Sequence, residues 1–174
     1  FLDLKAQQKR IRKPLEKRIN KILDHGAYIM GPEVFELEEK LADYCGVKHA
    51  ISCSSGTDAL LIPLMAWGLG PGDAVFTTPF TYVATAEVIS ILGATPIFVD
   101  VYESTYNIDC EKLETEINKV INEGKLKPKA IIPVDLFGLP ARYRLIDKIA
   151  KKYNLKVIED AAQSFGGSIR NKKV

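Results

Sequence analysis

Residues 74–99 read AVFTTPFTYVATAEVISILGATPIFV, and this stretch decides the fold. Ala74 to Thr77 is a short apolar run, Tyr82 to Leu92 reads as a helix, and Thr95 to Val99 is a second short apolar run. Strand, helix and strand in that order form a βα unit of a largely parallel sheet. The alternation continues in both directions. Upstream, Ala50-Ile51-Ser52-Cys53 reads as a short strand and Asp58 to Gly68 as a helix, followed by the turn Gly70-Pro71-Gly72-Asp73. Downstream come a helix from Glu111 to Asn122, a strand from Ala130 to Val134, a helix from Arg142 to Tyr153 and a strand from Lys156 to Ile158. Apolar runs without strict alternation are what strands covered on both faces require. The expected class is α/β: a three-layer α/β/α sandwich around a mostly parallel mixed sheet, with functional loops at the carboxyl ends of the strands.

Ahead of this core lies a basic segment with Lys5, Lys9, Arg10, Arg12, Lys13, Lys17, Arg18 and Lys21. Ile11, Leu15, Ile19, Ile22 and Leu23 recur there at helical spacing, so it reads as a solvated helix face over an apolar stripe, with Pro14 fitting a first-turn position. Gly26 to Pro32 is a loop, and Val34, Leu37, Leu41 and Ala42 mark another amphipathic helix ending near Gly46. These segments divide the chain into an N-terminal helical segment, 1–30, and a larger domain, 31–174.

Composition narrows the function classes. The chain has 174 residues, 47% of them hydrophobic and 26% charged, which is the profile of an ordinary globular protein rather than a disordered, collagenous or coiled-coil one. The net charge of +2 is too balanced to imply nucleic acid or a membrane surface, and no run of 18 apolar residues exists. Cys45, Cys53 and Cys110 form no C-x-x-C pair, and neither His25 nor His49 stands at ligand spacing from a cysteine, so no metal is expected. Reduced thiols and the lack of an apolar leader fit a cytoplasmic protein. The chain opens at Phe1 and closes at Arg170-Asn171-Lys172-Lys173-Val174 with no obvious terminal element, so it reads as a piece of something longer.

Chemistry should sit where strands end. After the first, Ser54-Ser55-Gly56-Thr57 opens a helix; such a hydroxyl-rich loop presents backbone N–H groups and a positive dipole end, which suits a phosphate. Ser and Thr are also ordinary helix caps, and both uses stay open on this loop alone. It lacks the Gly-Lys-Ser/Thr of a Walker loop and the spaced glycines of a dinucleotide site. Asp160 follows Val157-Ile158-Glu159 at a strand end, where a partly buried carboxylate needs a partner; the protonated nitrogen of a pyridine ring is one, and capping the next turn is the alternative. Tyr82, beside Phe80 and Thr81, offers a ring to lie flat on a planar cofactor, or simply a core aromatic. A phosphate cradle, a flat aromatic and an acid for a ring nitrogen together are what pyridoxal phosphate (PLP) requires.

With those residues in view, the chain closely resembles the DegT/DnrJ/EryC1/StrS sugar aminotransferases, which are fold-type-I PLP enzymes. The resemblance is carried in order by Phe1-Leu2-Asp3-Leu4-Lys5, Gly31-Pro32-Glu33-Val34, Ser55-Gly56-Thr57-Asp58-Ala59-Leu60 and Pro79-Phe80-Thr81-Tyr82-Val83-Ala84-Thr85. It continues through Ile132-Pro133-Val134-Asp135-Leu136-Phe137-Gly138 and Glu159-Asp160-Ala161-Ala162-Gln163-Ser164. It implies that 31–174 is the incomplete large domain, that Ser55, Gly56 and Thr57 hold the PLP phosphate, and that Tyr82 stacks on the pyridine ring. It further implies that Asp160 pairs with the ring nitrogen and that Gln163 hydrogen-bonds the cofactor near its phenolic oxygen. The implied reaction moves an amino group from L-glutamate to a keto group of a UDP- or dTDP-linked sugar, for surface polysaccharide or glycan biosynthesis. The resemblance implies a homodimer, to which the N-terminal segment contributes, and places sugar contacts around Tyr28 to Pro32.

The Schiff-base lysine of such enzymes lies downstream of the Asp-Ala-Ala-Gln-Ser block, beyond Val174. Lys172 and Lys173 match the family's basic surface turn instead, so no residue of this chain takes the catalytic role. Two other readings stand beside aminotransfer: a PLP-dependent sugar dehydrase of the same family, with His in place of that lysine, and a non-catalytic module that binds phosphate or a nucleotide. A buried Asp160–Gln163 pair speaks against the last, since a phosphate-only site has no use for it.

Overall fold

The computed structural model describes residues 2–169, 172 and 173. Phe1, Arg170, Asn171 and Val174, from the opening block and the basic terminal turn, lie outside the described residues. The chain forms two compact units, Phe1–Ile51 and Ser52–Val174.

The first unit is a pair of helices, α1 (Leu4–His25) and α2 (Pro32–Cys45). Asp3 caps α1, its Oδ1 accepting from the Ala6 N–H at 2.9 Å, and the Lys-, Gln- and Arg-rich sequence after it is a good helix former. Pro14 therefore stands inside α1 rather than in its first turn, and the helix runs on through the one N–H it lacks. Pro32 opens α2 at a position where a missing N–H costs nothing. A Cβ at Gly31 would lie 2.3 Å from the Ala27 carbonyl oxygen, so only glycine fits where the chain turns into α2. Glu36 accepts both guanidinium nitrogens of Arg18, at 2.8 and 3.0 Å, and Lys21 pairs with Glu33 at 3.1 Å. α2 thus groups with α1 in the compact unit that runs to Ile51.

The second unit is built on four parallel strands, β1 (Asp73–Thr77), β2 (Thr95–Phe98), β3 (Lys127–Ile132) and β4 (Lys156–Val157), in the order β2-β1-β3-β4. Its helices are α3 (Gly56–Ala66), α4 (Ala84–Ile91), α5 (Cys110–Glu123) and α6 (Tyr143–Tyr153). Side-chain alternation along the strands explains the layers. Val75, Ala130 and Ile132 pack with Leu60 and Leu64 of α3 and Val88 and Ile89 of α4. Ala74, Phe76 and Ile131 point the other way, to Leu113 and Ile117 of α5 and Ile146 and Ile149 of α6. The result is a helix–sheet–helix sandwich with a covered sheet, as its apolar strands require.

Ala50–Cys53 is irregular, not a strand; it joins no ladder among the described residues. At the far end Ser168–Ile169 (β5) and Lys172–Lys173 (β6) pair antiparallel, a pairing that the composition of the segment did not announce.

Strand order sets the site. From β1 the chain steps to β2 on one side, then crosses to β3 and β4 on the other. Such a reversal leaves a crevice at the carboxyl ends of β1 and β3. Thr77 at the end of β1 is buried and donates its hydroxyl to the Ile132 carbonyl at 2.8 Å, tying the two strand ends together beneath that crevice.

Candidate active site

A cavity of about 350 Å³ opens beside the crevice, lined by Gly56, Thr57, Leu60, Tyr82, Ala84, Thr85, Asp160, Ala162 and Gln163. That volume is in the range of small-ligand sites. Five of the six residues singled out from sequence meet here: Gly56, Thr57, Tyr82, Asp160 and Gln163. Ser55 does not line it. Its hydroxyl caps α3, accepting from the Asp58 N–H at 3.1 Å and donating to Asp58 Oδ2 at 2.9 Å.

The loop before α3 is organised for an anion. Ser54 and Ser55 both hydrogen-bond the Asp58 carboxylate and hold its carboxyl below the usual range. With Ser55 as cap, Gly56 and Thr57 fall in the first turn, where helix N–H groups have no carbonyl to bond. A Cβ built at Gly56 would meet no atom within 4 Å, so the space before this turn is open. Open space, first-turn N–H groups and a helix dipole fit a phosphate.

Asp160 closes the opposite wall. A parallel bridge between Val134 and Asp160 extends the β3–β4 pairing, and its backbone N–H donates to Pro133 O at 3.0 Å. The carboxylate is buried at 9% exposure, and among the described residues no cation pairs with it. Thr85 Oγ1 donates to Oδ2 at 2.8 Å, and the Ala162 N–H reaches Oδ1 at 3.3 Å. A buried carboxylate can accept about four hydrogen bonds, so this one keeps acceptor capacity toward the cavity. A protonated ring nitrogen would satisfy it.

Tyr82 is 73% exposed in this chain, lining the cavity and standing outside both core clusters. Gln163 lies in the turn after Asp160, and its Oε1 accepts from the Phe137 N–H at 2.5 Å. That bond settles the amide's orientation and leaves its NH₂ as the donor end. Phe137 reaches it by adopting a left-handed conformation (φ 57°), and Gly138 follows at φ 80°, where a Cβ would come within 3.1 Å of Gln163 O.

Sequence reasoning missed the residues that hold these groups in place. Asp135, fully buried, accepts from Ala141 N at 2.8 Å, Tyr143 Oη at 2.7 Å and Ser164 Oγ at 2.8 Å, so it anchors the Asp160–Ser164 turn from below. Burial pushes the Glu159 carboxyl up to about 7, and the nearby Asp135 carboxylate pushes the same way. Burial, then the bond to Asp135, raises the Tyr143 phenol as well. The signal for Thr85 was available: it is a hydroxyl among the buried positions of α4, where Ala84, Val88 and Ile89 are apolar. Tyr28 and Met30, from the loop expected at the sugar, are exposed in the first unit.

Comparison with known proteins identifies the lineage. The model of the DegT/DnrJ/EryC1/StrS aminotransferase family matches residues 9–174. A UDP-2-acetamido-2-deoxy-3-oxo-D-glucuronate aminotransferase of Pseudomonas aeruginosa is 53% identical over 99% of this chain and 46% of its own length. A DegT DnrJ EryC1 StrS aminotransferase from Brucella abortus superposes with a TM-score of 0.98 at 54% identity, over 99% of this chain and 46% of that one. The Bacillus subtilis protein ntda, solved with bound cofactor PMP, superposes with a TM-score of 0.79 at 35% identity, over 88% of this chain and 34% of that one. The chain spans about half the length of the curated relatives it matches. It belongs to the DegT/DnrJ/EryC1/StrS aminotransferase family.

Proposed function

We propose that this chain supplies the front of a PLP-dependent aminotransferase that moves an amino group from L-glutamate to the keto carbon of a nucleotide-linked sugar. The observation that carries the reading is Asp160, a buried carboxylate that no cation pairs with among the described residues, lining a cavity together with the open first turn of α3. When bound, PLP supplies an electron sink for the carbanion that amino transfer creates. Gly56 and Thr57 hold its phosphate on their N–H groups, Tyr82 covers a ring face, and Asp160 keeps the ring nitrogen protonated. Gln163, its Oε1 held by the Phe137 N–H, would offer its amide NH₂ to the phenolic oxygen. None of the described residues that line the cavity is a lysine.

The similarity to a UDP-3-oxo-sugar aminotransferase favours a UDP-linked 3-keto hexose as acceptor. We assign the assembly as a homodimer, with the apolar stripe of α1 as part of its contact. The full-length protein, loaded with PLP and given glutamate and a UDP-linked 3-keto hexose, should release 2-oxoglutarate in step with amino-sugar formation. Loss of water from the sugar without consumption of glutamate would mark a dehydrase instead.

A further inference from the structure

Thr85 is 1% exposed and gives its hydroxyl to Asp160 Oδ2 at 2.8 Å. Its oxygen also lies 3.1 Å from Thr81 Oγ1. A threonine inside a helix commonly bonds the carbonyl one turn back with its hydroxyl; the Thr85 hydroxyl bonds side chains. A hydroxyl has one proton to give, and a carboxylate can only accept. With the Thr85 proton committed to Asp160, Thr81 must be the donor in the Thr81–Thr85 pair, so the chain runs one way: Thr81 to Thr85 to Asp160.

Packing gives no reason for threonine here. Valine has the same shape, and the buried neighbours of Thr85 on α4 are Ala84, Val88 and Ile89. The hydroxyl serves Asp160. A donor to a carboxylate lowers its affinity for a proton. When a carboxylate faces a pyridine nitrogen in a dry cavity, the proton between them can rest on either partner. Extra donation to the carboxylate leaves that proton on the ring.

We propose that Thr85, oriented by Thr81, is a positioning residue that fixes the Asp160 carboxylate in the cavity wall and keeps the shared proton on the cofactor's ring nitrogen. This rests on the assignment of Asp160 as the partner of that nitrogen.

The test uses the full-length protein loaded with PLP labelled with ¹⁵N in the ring, read by NMR, since protonated and neutral pyridine nitrogens differ widely in shift. The unaltered protein should give the protonated signal. Thr85→Val should move it toward the neutral range and weaken PLP retention by roughly tenfold, the effect of one charge-assisted hydrogen bond. Thr85→Ser should restore both. Thr81→Val should move the signal in the same direction by less, and it carries the test if Thr85→Val does not fold. A protonated signal in the Thr85→Val protein, or an unchanged signal in Thr81→Val where that variant decides, overturns the proposal. Asp160→Asn separates the two assignments. If that variant loses the protonated signal while the Thr85 variant keeps it, Asp160 retains its role and Thr85 does not. If Asp160→Asn leaves the ring protonated, both assignments fail.

Discussion

Glu159 and Asp160 are adjacent carboxylates with opposite surroundings, because neighbouring residues in extended chain face opposite sides. Asp160 turns to Thr85 and the cavity; Glu159 turns to Asp135 and Tyr143, and its Oε1 is buried without a hydrogen-bond partner among the described residues. Burial first, and the nearby Asp135 carboxylate second, favour the protonated form of Glu159. With a folded value near 7 against an ordinary 4.5, the folded protein binds more protons than the unfolded one between those limits. Stability from this group is therefore full below about pH 4.5 and is lost as pH rises through 7. Allowing for partial exposure, the loss is of order 2 kcal/mol. Melting curves of the unaltered protein should fall between pH 5 and 8, and Glu159→Gln should flatten that slope; an equal slope in both would reject the protonated assignment. Gly56→Ala probes the other wall. A first-turn alanine keeps its N–H and meets no protein atom, so stability should hold; its added methyl takes space at the cavity that Gly56 lines, and PLP affinity should drop about tenfold by crowding the phosphate. Unchanged affinity would show that no phosphate approaches Gly56 closely. Asp160 was legible as a strand-end carboxylate in need of a partner; its choice over Glu159, and Gln163, came with the family resemblance. Glu159 and Asp135 were not legible, because nothing in local sequence says which of two strand-end acids faces a ligand and which faces the core.

Elements obeyed their caps more than their periodicity. Ser55 shows why one hydroxyl loop supports two readings: its side chain is a cap, while the N–H groups just behind it form the cavity wall. Ser55→Ala should therefore cost about 1 kcal/mol of stability through the lost cap, with PLP affinity changed far less than in Gly56→Ala. Urea melts and PLP titration of the two variants measure the contrast, and a Ser55→Ala protein that melts normally but loses PLP would put the hydroxyl itself on the phosphate. The same logic explains where boundaries moved. α3 opens at Gly56 because Ser55 caps it, and α5 opens at Cys110 because Asp109 accepts from the Glu111 and Lys112 N–H groups. α1 starts at Leu4 because Asp3 caps it, despite the proline that pattern alone placed in the first turn. Ala50–Cys53 misled for the reverse reason. Four residues suited to a strand are not one without a neighbouring ladder, and ladder partners are a property of the whole sheet.

At the scale of the molecule, the parallel sheet was legible because a covered strand has no choice but to be apolar on both faces. The split after Ile51 was not, since α2 is amphipathic like the helices of the second unit and its partners are charges on α1, Arg18 and Lys21, that sequence spacing cannot pair with Glu36 and Glu33. The two units invite opposite responses to mutation. Ile131 is fully buried at the centre of the sheet, and Ile131→Ala should cost about 2–5 kcal/mol by leaving a cavity that packed helices cannot fill. On α1, Ile11, Leu15, Ile19 and Leu23 are 43–59% exposed, so shortening one removes little packing within the chain. A row of such residues at helical spacing is costly to leave in water, at about 25 cal/mol per Å² of apolar surface, and a second copy of the protein is the occupant proposed for it. Leu15→Asp with Ile19→Asp should then leave the thermal melt of the separated protomer unchanged while lowering the mass of the full-length protein in light scattering from that of a dimer to that of a monomer. A dimer that survives both charges would place the contact elsewhere, and a large fall in the protomer's own melting temperature would mean that the stripe is covered from within.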